Sequence, residues 1–139
     1  MKKVILSLLV LSLFGLNAVT ANAASPKATT YTFTVTDTEG GRSNATGTVV
    51  LQPLPNGKTL VRIQAKGLQE SGQYFLTWST ATGCQLETDN TAKSFEHFTA
   101  RNGNVHITTR LETDMTSIGS IGIRTESGQV LVACAAGTL

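Results

Sequence analysis

The residues best placed to bind a metal ion in this sequence are two histidines, His97 and His106, on either side of an Asn102–Gly103 dipeptide. Neutral imidazole is a common ligand of zinc and copper. A site built on this pair would need a third ligand, for which Glu112 and Asp114 are the candidates. The alternative is that both histidines are ordinary solvated side chains, because two histidines without a clear third donor do not define a metal site.

The Asn102–Gly103 dipeptide predicts a tight hairpin that would bring the two histidines together. The pairs across such a turn are Arg101 with Asn104, Ala100 with Val105, and Phe98 with Ile107. The apolar side chains then share one face, so the register is self-consistent. His97 would lie opposite Thr108. His106 would lie opposite Thr99, which makes the two histidines diagonal neighbours on the polar face.

The beginning of the chain has the pattern of an export signal. After a short basic segment, Val4–Leu16 is apolar but too short to span a bilayer, and Ala21–Ala23 has the small-x-small form that signal peptidase accepts. We therefore predict cleavage between Ala23 and Ala24, leaving residues 24–139 in the periplasm or secreted, with no membrane span. The alternative is an uncleaved N-terminal anchor helix, which the short apolar segment and the cleavage pattern disfavour.

The two cysteines, Cys84 and Cys134, both fall in the part predicted to be exported. An even number of cysteines in an oxidising compartment favours a disulfide. Closing a loop of this length would stabilise the fold by roughly 4 kcal/mol on the chain-entropy model. The alternative is a metal-bound or catalytic thiol, which is disfavoured because the sequence has no CxxC motif and no histidine beside either cysteine.

Composition narrows the class of protein. Hydrophobic residues make up 40% of the chain and charged residues 14%, which excludes a charge-rich disordered protein. The formal net charge of +2 is cancelled when Lys2 and Lys3 leave with the signal, and no basic stripe typical of a nucleic-acid binder is visible. The sequence also has no GxSxG nucleophile motif, phosphate loop or dinucleotide fingerprint.

The remaining sequence alternates with period two, which predicts β-strands. The predicted strands are Thr30–Thr36, Ala45–Gln52, Lys58–Gly67, Gln73–Thr80, the two arms of the Asn102–Gly103 hairpin, Ser117–Arg124 and Gln129–Ala135. Pro53–Gly57 is expected to break the ladder, and Thr82–Ala92 is expected to be a loop. Eight short strands without helical periodicity predict a single all-β domain, an antiparallel Greek-key barrel or sandwich.

Three sets of side chains have both a functional and a structural interpretation. The stripe of Tyr74, Leu76 and Trp78 is either an exposed aromatic platform or core, and core is favoured in so small a domain. The outward threonines could bind a repetitive surface, but threonine also simply suits a solvated strand. In the last strand, Val130, Val132 and Cys134 are predicted to share one face.

Several short motifs resemble the copper/zinc superoxide dismutase family. They are Gly67-Leu68 before a strand, Gly83-Cys84 after it, and the C-terminal Leu131–Gly137, in this order within roughly Ala45–Leu139. The resemblance implies an eight-stranded Greek-key β-barrel with an intrachain disulfide, and Cys84 and Cys134 fall where the family's disulfide partners fall.

The resemblance does not extend to the family's metal centre. The positions that match copper-binding histidines hold Leu76, Trp78 and Thr125. The loop that matches the family's zinc-binding loop, Gln85–Lys93, contains no histidine, and Leu131 stands where the family has an anion-guiding arginine. Dismutation by that mechanism needs a redox metal held by imidazoles. We therefore expect no copper or zinc cofactor and no catalytic residues.

These observations predict an exported barrel that binds a protein or another component of the cell envelope, or that has a structural role. It is not expected to bind nucleic acid. The alternative, from another functional class, is a divergent metal-binding protein or superoxide dismutase-related enzyme that uses His97 and His106.

Overall fold

The computed structural model describes residues 27–35, 44–84, 92–127 and 130–137. These residues form eight strands and one short 3₁₀ helix, Met115–Ser117. The strands are β1 (Thr29–Val35), β2 (Thr46–Leu54), β3 (Lys58–Lys66), β4 (Gln73–Ser79), β5 (Lys93–Thr99), β6 (Val105–Leu111), β7 (Ser120–Thr125) and β8 (Leu131–Ala136). The predicted signal segment and its cleavage site between Ala23 and Ala24 lie outside the described residues, as does most of the loop predicted between Thr82 and Ala92.

The strands form one antiparallel sheet with the order β5-β4-β7-β8-β1-β2-β3-β6. The sheet curls into a nearly closed barrel, in which β5 and β6 are the two edges. Strand β6 lies beside β3, and β7 lies beside β4, so the chain crosses between distant strands as in a Greek-key barrel. The predicted all-β antiparallel class is confirmed.

The barrel interior is filled by the inward side chains of alternating strand residues. The largest fully buried side chains are Leu51, Ile63, Leu76, Ile121, Ile123, Val49, Val61 and Thr59. Each fully buried aliphatic side chain contributes roughly 1.5–3 kcal/mol of hydrophobic stabilisation. Thr59 is accommodated because its hydroxyl donates a 2.8 Å hydrogen bond to the carbonyl of Thr113. Of the predicted aromatic stripe, Tyr74 and Leu76 are buried and Trp78 packs against the core, so the stripe is core.

The sequence predicts that β2 ends before Pro53, but the strand continues past this residue. Pro53 pairs with Thr59 and Leu54 pairs with Lys58, so the ladder continues for two residues. The pairing of β2 with β1 stops at Leu51, which leaves β2 with a single neighbouring strand at Pro53. A proline is tolerated at such a position because its missing N–H can fall on the side of the strand that has no partner.

The start of β7 also differs from the prediction. The sequence pattern places a strand from Ser117, but Met115–Ser117 is a turn of 3₁₀ helix and β7 begins at Ser120. Asp114 caps this helix by accepting a 2.8 Å hydrogen bond from the backbone N–H of Thr116. Aspartate favours such caps because its short side chain reaches the free N–H groups of the first turn.

The prediction that Val130, Val132 and Cys134 share one face of β8 is wrong. Val132 packs against the core, whereas Val130 is exposed, so these side chains do not lie on one face. The register shifts between β7 and β8, with Ile123 opposite Ala133 but Arg124 opposite Leu131, so Val132 is an extra residue in the ladder. A bulge of one residue breaks the strict alternation on which the prediction rested.

Candidate functional site

The Asn102–Gly103 turn forms as predicted, but the strands on either side of it separate at once. Both residues have positive φ, 51° and 71°, as a type I′ turn requires. Arg101 and Asn104 exchange backbone hydrogen bonds of 3.1 and 2.9 Å. Beyond this pair, β5 pairs with β4 and β6 pairs with β3.

The predicted pairs of Ala100 with Val105 and of Phe98 with Ile107 are therefore wrong. The backbone groups of Ala100 are already used, because its N–H donates to Gly72 and its carbonyl accepts from Ser71, both at 3.0 Å. These bonds draw the chain before the turn towards β4. Phe98 pairs with Tyr74, and their rings stack with centroids 5.5 Å apart. Val105 and Ile107 instead lie opposite Ala65 and Ile63 of β3.

The two histidines are consequently not the diagonal neighbours that the hairpin register predicts. His97 lies opposite Phe75 rather than Thr108, and the two rings stack with centroids 5.7 Å apart. Its Nδ1 lies 2.5 Å from Oε1 of Glu126. His106 lies opposite Gln64 of β3 rather than Thr99. Both histidines are exposed, and each has its own neighbours.

The two acidic residues considered as a third metal ligand have other partners. Glu112 forms a 2.6 Å ion pair with Lys58. Asp114 accepts hydrogen bonds from the hydroxyl and the backbone N–H of Thr116, and these bonds lower the pKa of its carboxyl below the ordinary 3.8. Within the described ranges, no group of three or more histidine, cysteine, aspartate or glutamate residues could hold a metal ion.

Because β5 and β6 separate, the barrel has an open seam, and a groove of about 890 Å³ lies along it. We call this groove the seam groove. It is lined by residues of four strands and the hairpin: Thr46, Gly47, Thr48, Gln64, Ala65, Lys66, Phe98, Thr99, Arg101, Asn104, Val105, His106 and Ile107. At Gly47 the backbones of β2 and β3 approach so closely that a side chain there would collide with the backbone carbonyl of Gln64.

The described lining of the seam groove is basic. Lys66, Arg101 and His106 contribute cationic or protonatable groups, and the lining contains no carboxylate. The outer face beside the groove adds Arg62 on β3 and Arg110 on β6, both exposed. Of the four lysine and arginine side chains in this set, none forms an ion pair with another described residue. This clustering was missed from the sequence, because the five residues are spread over residues 62–110 and meet only when β3 lies beside β6.

A second hollow, of about 520 Å³, lies at the turn between β3 and β4 and the end of β7. Its lining includes Glu70 and Glu126, and no lysine or arginine among the described residues. The two surfaces therefore have opposite electrostatic character.

The disulfide predicted between Cys84 and Cys134 is present, with Cα atoms 5.9 Å apart. It ties the segment after β4 to β8 on the outside of the barrel. The space beside it, lined among others by Thr77, Gly122 and Leu131, is only about 20 Å³ and is too small for an organic ligand.

The positions that the resemblance matches to copper ligands have structural roles. Leu76 is fully buried in the core. Trp78 packs against the core, and the ammonium of Lys93 lies 5.3 Å from its ring centroid. The hydroxyl of Thr125 accepts a 3.2 Å hydrogen bond from the backbone N–H of Val130. These side chains therefore take part in packing and in closing the turn between β7 and β8.

No protein-family model matches the chain, and no curated protein is significantly similar to it. The described part of the chain contains no helix long and apolar enough to cross a membrane. The seam groove and the disulfide are therefore the features of this chain that bear on its function.

Proposed function

We propose that this protein is an exported, disulfide-bonded and non-catalytic binding protein that holds its ligand in the seam groove. The observation that carries the proposal is the groove itself, an open concave surface where strands β5 and β6 separate. Its described lining combines hydroxyl, amide and cationic side chains with the apolar edges of Phe98, Val105 and Ile107. Concave sites with a few convergent polar groups on an apolar base are typical of binding sites.

Export is supported by two independent features. The first is the basic and apolar N-terminal segment that ends in Ala21–Ala23. The second is the Cys84–Cys134 disulfide, a bond that persists in oxidising compartments such as the periplasm or the extracellular medium. We place the protein in one of these two locations, and we expect its partner to be a protein or another component of the cell envelope.

We also propose that the barrel belongs to the superoxide dismutase-like superfamily. The strand order, the disulfide and the motifs Gly67-Leu68, Gly83-Cys84 and Leu131–Gly137 support this assignment. The matching ligand positions hold packing residues, so we infer that the barrel has no catalytic metal centre. The alternative of a metal-dependent enzyme built on His97 and His106 gains no support, because the strands carrying them pair with different neighbours.

Site-specific photocrosslinking in the cells that export the protein tests whether the seam groove is the binding surface. A photoreactive amino acid replaces Thr99 or Gln64, both exposed in the groove lining. The matched controls are Thr30 and Ser94, which are exposed strand residues outside that lining. We expect one identified adduct from both groove positions and none from the controls.

The captured molecule is then purified and tested for binding to the isolated protein, with and without Lys66→Glu in the groove. Binding that is at least tenfold weaker for the variant supports the proposal. Adducts that form equally at Thr30 and Ser94, or no adduct at the groove positions, would overturn it.

A further inference from the structure

The edge of β6 that faces the seam is a regular template for another strand. The opposite edge of β6 pairs with β3 over seven consecutive residue pairs, from Thr59–Leu111 to Ala65–Val105, without a register shift. On its other side, β6 reaches β5 only where Arg101 and Asn104 pair before the strand begins. A straight strand edge presents unpaired N–H and C=O groups to which an extended chain can bind.

The opposite edge of the seam is less suited to strand addition. Strand β5 contains a bulge where it pairs with β4, because the register of this pairing shifts between Leu76 and Thr77 of β4. Glu96 lies opposite the buried Leu76, so a carboxylate stands on the inner face of this edge strand. Bulges and inward-facing charges are devices that prevent an edge strand from pairing. Because β5 has these two features and β6 has a regular edge, an incoming strand is expected to pair with β6 and not with β5.

The charges around the β6 edge determine which side chains an incoming strand should carry. Arg62, Lys66, Arg101 and Arg110 are exposed, and none forms an ion pair with another residue of the described ranges. Acidic side chains that bind here would contact these cations. The described lining holds no carboxylate that would compete with them. On the inner side of the same strand, Val105 and Ile107 pack against the core and offer an apolar surface.

We propose that an extended acidic segment of a partner protein binds in the seam groove as an additional strand paired with β6. Because side chains alternate along a strand, the segment places acidic residues outwards, beside Arg110 of β6 and one strand away from Arg62 and Lys66 of β3, and apolar residues inwards, near Val105 and Ile107. This inference rests on the proposed function and names its ligand. An anionic glycan is less well matched, because the aromatic ring of the lining, Phe98, stacks on Tyr74 within the barrel instead of facing outwards.

In the test, the oxidised protein comprising residues 24–139 is titrated with a peptide, and binding is monitored by NMR of the backbone amides. The probe is a synthetic peptide of seven residues, the length of β6, with alternating glutamate and valine and blocked ends. We expect shifts and slowed amide exchange along β6 and at Arg101 and Asn104. We expect affinity at least tenfold higher than for the matched lysine–valine peptide, and a decrease in affinity as salt is raised.

A charge reversal, its matched control and a modified peptide together separate strand pairing from simple charge attraction. The double variant Lys66→Glu with Arg101→Glu should weaken binding of the acidic peptide at least tenfold and should favour the lysine peptide. Lys27→Glu, an exposed charge reversal outside the groove lining, should change binding less than twofold. An acidic peptide that is N-methylated along one edge should lose binding, since it can no longer donate to β6.

The inference is overturned if the acidic peptide does not bind, if both peptides bind equally, or if the shifts map away from β6. It is also overturned if an anionic polysaccharide such as heparin binds in the groove while the peptide does not. Self-association of the protein that is lost in Glu70→Lys would identify the acidic hollow of a second copy as the occupant instead. In these cases the proposed function survives if the crosslinks at Thr99 and Gln64 remain specific, and it fails if they do not.

Discussion

The backbone N–H of Leu68 donates a 3.1 Å hydrogen bond to the carbonyl of Gly103. This bond fastens the β5–β6 turn to the segment that leaves β3, and it fixes the closed end of the seam groove. Leu68 is buried, so this hydrogen bond anchors the turn on the core. The groove therefore opens from an end at which Arg101 and Asn104 are paired.

We predict that Gly103→Ala destabilises the protein more than Gly57→Ala does. Both glycines follow an asparagine in a tight turn and have positive φ, 71° and 69°. A side chain in this conformation costs roughly 1–2 kcal/mol, which is the expected loss at Gly57, where nothing lies within 4 Å of an added Cβ. At Gly103 the carbonyl oxygen of Leu68 lies only 2.8 Å from that position, so the backbone must also shift. Urea unfolding of both variants measures the difference, and equal losses would show that the contact with Leu68 is unimportant.

We predict that removing the disulfide lowers the free energy of unfolding by about 2–5 kcal/mol, as is typical of small secreted domains. The bond joins residues 50 positions apart, so its loss lets the unfolded chain expand. The measurement compares the oxidised protein with the Cys84→Ser and Cys134→Ser double variant in urea, with and without reductant. Reductant should destabilise the wild type and leave the double variant unchanged. If reductant has no effect on the wild type, the bond makes no contribution to stability.

We predict that the fluorescence of Trp78, the one tryptophan of the chain, is blue-shifted in the folded protein and moves to the red on unfolding. The indole packs against the core and carries the Lys93 ammonium 5.3 Å from its ring centroid. Lys93→Met removes the charge but keeps a chain of similar length, and its emission should remain blue-shifted. Native emission equal to that of free tryptophan would instead support an exposed aromatic platform.

We predict that the stabilising effect of Asp114 depends on pH. Hydrogen bonds from the hydroxyl and then the backbone N–H of Thr116 hold the pKa of this carboxyl below the ordinary 3.8. The folded state therefore favours the charged form, and its contribution is present above pH 3.8 and disappears as the pH falls through the lowered pKa. Thermal unfolding of the wild type and Asp114→Asn should differ above pH 3.8 and converge in stronger acid. A difference that does not change with pH would contradict this origin.

Much of the fold follows from residue alternation, because each strand has one face in the core. The pattern of Val61, Ile63 and Ala65 predicts the buried face of β3 correctly. Alternation fails where an extra residue enters the ladder, as at Val132, since nothing local in the sequence marks a bulge.

Strand pairing could not be predicted from the turn alone. The Asn102–Gly103 turn is a local feature and was predicted correctly. The separation of its arms depends on hydrogen bonds between Ala100 and the residues Ser71 and Gly72, about 30 positions earlier in the chain. For the same reason the basic character of the seam groove was not visible, because Lys66 and His106 meet only through the pairing of β3 with β6.

We propose that this barrel acts by binding and not by metal-dependent redox chemistry. The most direct test is metal analysis of the purified, oxidised residues 24–139 after dialysis, followed by a superoxide dismutation assay with added copper and zinc. We predict no stoichiometric metal and no copper-dependent activity, and no change when His97 and His106 are both replaced by alanine. Stoichiometric metal or copper-dependent dismutation that is lost in the double variant would show instead that the barrel is a metalloprotein.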